Sequence, residues 1–134
     1  MSTLYIFKIK KEYKSLVKNK EFNLYEAINS INYINQDDLI YAYNLLLSIN
    51  VPLNKYQINK MIYNNLKKLD GYILFKNRHK YINYFTKEES ELIVKYNYML
   101  LISNKENNIF LTELKKINDL FICNFETTDY YWAS

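Results

Sequence analysis

A chain of 134 residues has the size of one domain and is long enough to bury a core. Its 18 basic and 14 acidic side chains leave a net charge of +4, and one cysteine excludes a disulfide within the chain. No apolar run approaches the roughly 20 residues of a membrane-spanning helix, and a single glycine excludes a glycine-rich phosphate loop.

The chain opens on Met1-Ser-Thr-Leu-Tyr5, which leads into a strand and not into a basic, then apolar leader. A reducing cytoplasm is therefore the expected location. Leu4–Ile9 is rich in β-branched and aromatic residues and predicts a central strand covered on both faces. Lys10–Lys18 predicts a short helix with Tyr13, Leu16 and Val17 on its inner side. Asn23 is a candidate cap for a helix over Leu24–Ile31. Asn35, followed by Asp37 and Asp38 in the first turn, is a candidate cap for a third helix running to Ser48. Val51-Pro52 ends it, and Asn54 starts a fourth helix whose inner positions are Ile58, Met61, Ile62, Leu66 and Leu69.

Asp70-Gly71 is a stop signal, and Tyr72–Phe75 predicts a strand. Lys76–Lys80 reads as a polar turn holding His79, with Tyr81–Phe85 as the partner strand. Thr86–Ser90 reads as an acidic connection, Leu92–Tyr96 as a strand and Tyr98–Ile102 as its hairpin partner. Ser103 with Glu106 has capping-box spacing. It predicts a last helix of about four turns with Phe110, Leu114, Ile117 and Phe121 in one stripe. Phe121–Phe125 and Asp129–Trp132 close the chain as strands. With so little glycine and proline, Asn and Asp are expected to make most turns. The expected architecture is α/β (α+β): one domain over 1–134, with a mixed five- to six-stranded sheet covered by about five helices. The last strand–helix–strand unit is expected to be a crossover between parallel strands.

Little in the sequence points to catalysis. The sole histidine, His79, lies in the predicted turn, and Cys123 lies mid-strand as an inert buried thiol. Zinc needs several Cys or His ligands, which the chain does not supply. No catalytic residue, metal or cofactor is expected. Residues 1–80 carry 13 basic and 6 acidic side chains, against 5 and 8 in residues 81–134. The basic half can attract nucleic acid, an anionic surface or an acidic protein. Yet only one of the 18 basic residues is an arginine, Arg78, which weakens the case for base-edge recognition.

Three stretches, in order along the chain, resemble the sporulation inhibitor of replication (SirA) family. The first is Tyr5-Ile-Phe-Lys-Ile-Lys-Lys-Glu-Tyr13 with Asn19-Lys-Glu21. The second is Ser48-Ile-Asn-Val-Pro52 with Ile58, Ile62 and Asn65-Leu66. The third runs from Ile109-Phe110 through Leu114-Lys-Lys116 to Phe121-Ile-Cys-Asn-Phe125 and Tyr131-Trp132. The chain departs from the family where Asn124 replaces Asp, Tyr131 replaces Gly and Asn107-Asn108 replace an acidic helix entry. The resemblance implies a non-enzymatic inhibitor that binds the N-terminal domain of the replication initiator DnaA, as a monomer forming a heterocomplex. By position, the family's contact face falls on Tyr13 and Val17 of the first helix and on Tyr41, Leu45 and Ser48 before the proline. The alternatives are a small nucleic-acid-binding module and a phage or mobile-element interaction module with another host target.

One outcome follows from the arginine count and the missing recognition-helix motif. An anisotropy titration at physiological salt is expected to show at most weak, sequence-independent DNA binding. A sub-micromolar, sequence-selective complex would contradict this and the inhibitor reading together.

Overall fold

A computed structural model describes residues 1–31 and 48–134. The strands are β1 (Ser2–Lys8), β2 (Tyr72–Phe75), β3 (Arg78–Asn83), β4 (Glu88–Val94), β5 (Met99–Ser103), β6 (Leu120–Asn124) and β7 (Asp129–Trp132). Four helices occur among the described residues: α1 (Lys11–Leu16), α2 (Glu21–Ile31), α3 (Lys55–Leu66) and α4 (Ile109–Leu114). The expected third helix, with Tyr41 and Leu45, lies outside the described residues.

The seven strands form one sheet in the order β2-β3-β4-β5-β1-β6-β7, and every neighbouring pair is antiparallel. The expected mixed sheet of five or six strands is thus corrected to seven antiparallel ones. The crossover expectation holds in direction only. β5 and β6 both run opposite to β1 and so run parallel to each other, but β1 lies between them. Strand alternation sends neighbouring β1 residues to opposite faces. Ile6 enters one core with Leu92, Met99, Leu101 and Ile122 under α3 and α4. Phe7 and Ile9 enter a second with Leu24, Tyr25 and Ile28 of α2, Val17, and Phe121 and Cys123 of β6. Cys123 is buried, and burial pushes its thiol up to about 12, so it stays protonated.

α3 forms where its cap predicted. Asn54 Oδ1 accepts the Gln57 N–H at 3.1 Å, and Ile58, Ile62 and Leu66 bury one face at four-residue spacing. Leu69 lies beyond the helix and is exposed. α4 starts later than the Ser103 box predicted and is a short helix, not a four-turn one. Asn108 is its cap and accepts the Leu111 N–H at 3.0 Å, while Phe121 belongs to β6. Ser103 stays in β5, where its hydroxyl bonds that of Ser90 at 2.7 Å. Glu88, expected in a solvated loop, is buried at the start of β4. Its Oε2 accepts the Ser90 hydroxyl and the Ile109 N–H at the N-terminus of α4, so a charge-assisted bond ties strand to helix.

The turns are tighter than the sequence predicts. Lys76, Lys87 and Thr128 take left-handed φ of 56°, 60° and 60°, as do Asn19 and Asp119 at 64°. Lys and Thr in that region cost of order 1 kcal/mol each, which strand pairing on both sides offsets. The Lys76-Asn77 turn lets β3 begin at Arg78, so His79 is not in an exposed turn. It sits in β3 with 0 % exposure. Its Nδ1 accepts the Tyr72 hydroxyl at 2.7 Å. Its Nε2–H donates to Asn59 Oδ1 at 2.7 Å, and Asn59 Nδ2 donates to Asn77 Oδ1 at 2.9 Å. The relay joins β2, β3, the turn and α3. Burial lowers the His79 pKa to about 4, so the ring is neutral at physiological pH.

Two outcomes follow. Gly71 sits at φ +88°, and a Cβ there would lie 2.0 Å from the Ile82 carbonyl oxygen. Gly71→Ala is expected to cost about 2 kcal/mol or more in a denaturant melt, while exposed Asp70→Ala stays within about 0.5 kcal/mol. For His79, both states are neutral above pH 6.5 and the group gives no pH dependence. As pH falls from 6.5 towards 4, the unfolded chain takes up a proton that the folded chain refuses, and stability is lost. The loss between pH 7.5 and 5 should be about 2 kcal/mol. His79→Asn should be less stable at pH 7.5 and lose most of this slope. An unchanged slope in that variant would show that His79 titrates freely.

Candidate protein-binding site

The segment after β1 is held by tertiary contacts more than by its own helix propensity. α1 has six residues, too few to be stable alone, and its cap residue Lys10 makes no side-chain cap bond. Instead the Lys10 N–H donates to the Ile49 carbonyl at 2.9 Å, and the Val51 N–H donates to the Lys8 carbonyl at 2.7 Å. An isolated bridge pairs Ile9 with Asn50. On the side facing the sheet, Lys14 Nζ reaches Asp119 Oδ1 at 3.1 Å and lies 4.7 Å from the centre of the Trp132 ring. The pair is partly exposed, so its main effect is to fix the helix's rotation.

With that rotation set, the predicted contact residues separate. Val17 is 6 % exposed and belongs to the second core; it offers a partner almost no surface. Tyr13 is half-buried, packed against the same core with part of its ring outside. Leu16, expected to point inward, is 75 % exposed. The physical reason is the helix's shortness. Val17 follows the last helical turn and fills the inner position itself, which turns Leu16 outward. Ser48 is exposed, one residue before Ile49, and so lies next to the start of α1. Tyr41 and Leu45 are outside the described residues. The fold therefore brings the α1 segment and Ser48 together.

The residue that the sequence reading did not select is Leu16. Periodicity did not mark it: the expected helix ran to Lys18, long enough to turn Tyr13, Leu16 and Val17 inward together, whereas α1 ends at Leu16. Phe22 is exposed at the start of α2, where its ring packs against Tyr130, and the exposed charges near Leu16 and Phe22 in the chain are of both signs, Lys11, Lys18 and Lys20 with Glu12 and Glu26. Exposed apolar side chains among mixed charges make a surface suited to a protein partner.

His79 is enclosed with both ring nitrogens hydrogen-bonded. No three His, Cys, Asp or Glu side chains cluster to hold a metal ion among the described residues. A cleft of about 730 Å³ lies on the α4 side of the sheet between the 104–108 loop and β7. Its edge carries Tyr131, whose pKa is raised by burial first and then by Glu106 and Asp129, so the phenol stays protonated at neutral pH. No helix among the described residues is long and apolar enough to cross a membrane. Against known proteins, no family model and no curated protein matches this chain.

Proposed function

We propose that this protein is a non-enzymatic, cytoplasmic inhibitor of DNA replication initiation that acts by occupying the N-terminal domain of DnaA, as its resemblance to the SirA family implies. The observation that supports the reading is the junction between Lys10 and Ile49. It ties the start of α1 to Ile49, next to Ser48, with Leu16 exposed beside half-buried Tyr13. In this reading Leu16 and Tyr13 supply apolar area, the Tyr13 hydroxyl meets a polar group, and Ser48 extends the face. Val17 acts from beneath, by positioning α1. The free protein is a monomer in this reading and forms a heterocomplex with its target.

Calorimetric titration with the DnaA N-terminal domain tests it. Leu16→Glu is expected to weaken binding by roughly 2 kcal/mol, about thirtyfold. Its folding stability should change by no more than about 0.5 kcal/mol, because the side chain is 75 % exposed. Tyr13→Ala is expected to weaken binding by a similar factor and to cost about 1–2 kcal/mol of stability, since its ring also covers the core. If the unmodified protein does not bind the DnaA N-terminal domain, the assignment of function from the family resemblance is rejected. A pull-down with mass spectrometry, repeated with Leu16→Glu, would then show which proteins, if any, bind this face.

A further inference from the structure

The cleft of about 730 Å³ lies where α4, only six residues long, leaves the sheet uncovered. Its floor is apolar. Leu4, Leu101 and Ile122 come from three adjacent strands, β1, β5 and β6, and Leu4 is half-buried. Both walls are braced by hydrogen bonds. The Ser103 hydroxyl oxygen accepts the Lys105 N–H at 3.0 Å, and Asn108 Nδ2 donates to the Lys105 carbonyl at 3.2 Å. Asn104 ties the same loop to β4 by accepting the Glu89 N–H at 2.9 Å. In the opposite wall, Asn124 Oδ1 accepts the N–H groups of Glu126 and Thr127 at 3.0 and 3.3 Å, which fixes the turn between β6 and β7. A preformed cleft of this size with an apolar floor suits a small molecule.

One buried side chain in the lining keeps a free donor. Asn124 is 9 % exposed, yet its Nδ2 has no partner among the described residues and is not sealed inside the protein, so it opens on the cleft. Asp129 stands directly across the β6–β7 ladder, which puts both side chains on one face of the sheet. Asp129 Oδ2 accepts the Thr127 hydroxyl at 2.7 Å, and Oδ1 has no partner among the described residues. Each carboxylate oxygen can accept two bonds. A donor thus sits beside an acceptor with spare capacity, next to an apolar floor. Glu106 and Asp129 both act on the Tyr131 phenol, so the two carboxylates lie near that ring. The side-chain charges of the lining balance, Lys105 and Lys115 against Glu106 and Asp129, which favours an uncharged ligand.

We infer that this cleft binds a guanine base, carried as an uncharged nucleoside. Asn124 Nδ2–H donates to guanine O6, and the Asp129 carboxylate accepts guanine N1–H and N2–H. The ring rests on Leu4 and Ile122. Among the common bases, guanine alone sets one acceptor beside two donors on a single edge. Adenine, cytosine and uracil offer one donor there and leave the carboxylate half used. Bonds to a carboxylate are the strong ones, and a polar site rejects an analogue that leaves its groups unmatched. The floor residues belong to the core under α3 and α4, on the other face of the sheet from Val17, so this site stands apart from the contact face proposed above.

The test is titration of the full chain with guanosine, followed by NMR. Guanosine is expected to shift the Asn124 side-chain amide protons and the methyl groups of Leu4 and Ile122. It should bind roughly tenfold more tightly than adenosine or uridine. Inosine, which lacks the N2 amino group, and 2-aminopurine riboside, which lacks O6, should each bind more weakly than guanosine. Asp129→Asn should weaken guanosine binding by roughly tenfold or more. It should leave the melting temperature nearly unchanged, because the position is exposed and the new side chain keeps an oxygen for Thr127. The inference is overturned if millimolar guanosine shifts none of these resonances, or if adenosine binds equally well. Guanosine binding to folded Asp129→Asn as tight as to the unmodified chain would overturn it as well.

Discussion

Everything in this molecule depends on β1 being paired on both edges and covered on both faces. Ser2 to Ile6 pair with β5 and Tyr5 to Lys8 pair with β6, so every residue of the strand is paired on at least one edge, and Tyr5 and Ile6 on both. Ile6 is fully buried in one core, and Phe7 and Ile9 enter the other. Burying each such side chain contributes about 1.5–3 kcal/mol, and these few residues are what the two helix layers share. The same strand also sets the position of α1. Its end bonds to residues 49–51, and the Ile9 N–H donates to the Asp119 carbonyl, the residue that also holds Lys14.

Much of this was legible where one physical signal acted alone. The β1 strand, the Asn54 cap, the Gly71 stop and the two closing strands follow from local composition, and the tertiary structure agrees with them. The errors fall where a second force competed. Ser103 and Glu106 have the spacing of a capping box, but the Ser103 hydroxyl is bound to Ser90 inside the sheet, so Asn108 caps the helix. His79 is flanked by charged residues and looks like part of a turn. Strand alternation sends those neighbours to solvent and the imidazole inward, where Tyr72 and Asn59 satisfy it. Glu88 looks solvated for the same reason and is buried, because the start of α4 supplies its donor. No local signal could show that the first strand would insert between two strands from the chain's end.

The candidate site was legible only in part. The resemblance directed attention to α1 and to the segment before Pro52, and the Lys10–Ile49 bond joins those two regions. Periodicity alone could not say which α1 residues face out, because the helix is shorter than two turns and its rotation is set from outside, by Asp119 and Trp132. Exposure of Leu16 is thus a property of the tertiary structure.

The insertion of β1 between β5 and β6 has a consequence for synthesis of the chain. Strands β2 to β5 form a run of hairpins between sequence neighbours and can pair as they emerge from the ribosome. β1 cannot, because Ser2 waits for Ser103 and Phe7 waits for Phe121. The first strand to be made is therefore among the last to be satisfied. Until the final third of the chain is free, Leu4-Tyr-Ile-Phe7 remains an unpaired apolar segment, the kind that chaperones bind and that seeds aggregation when translation stalls.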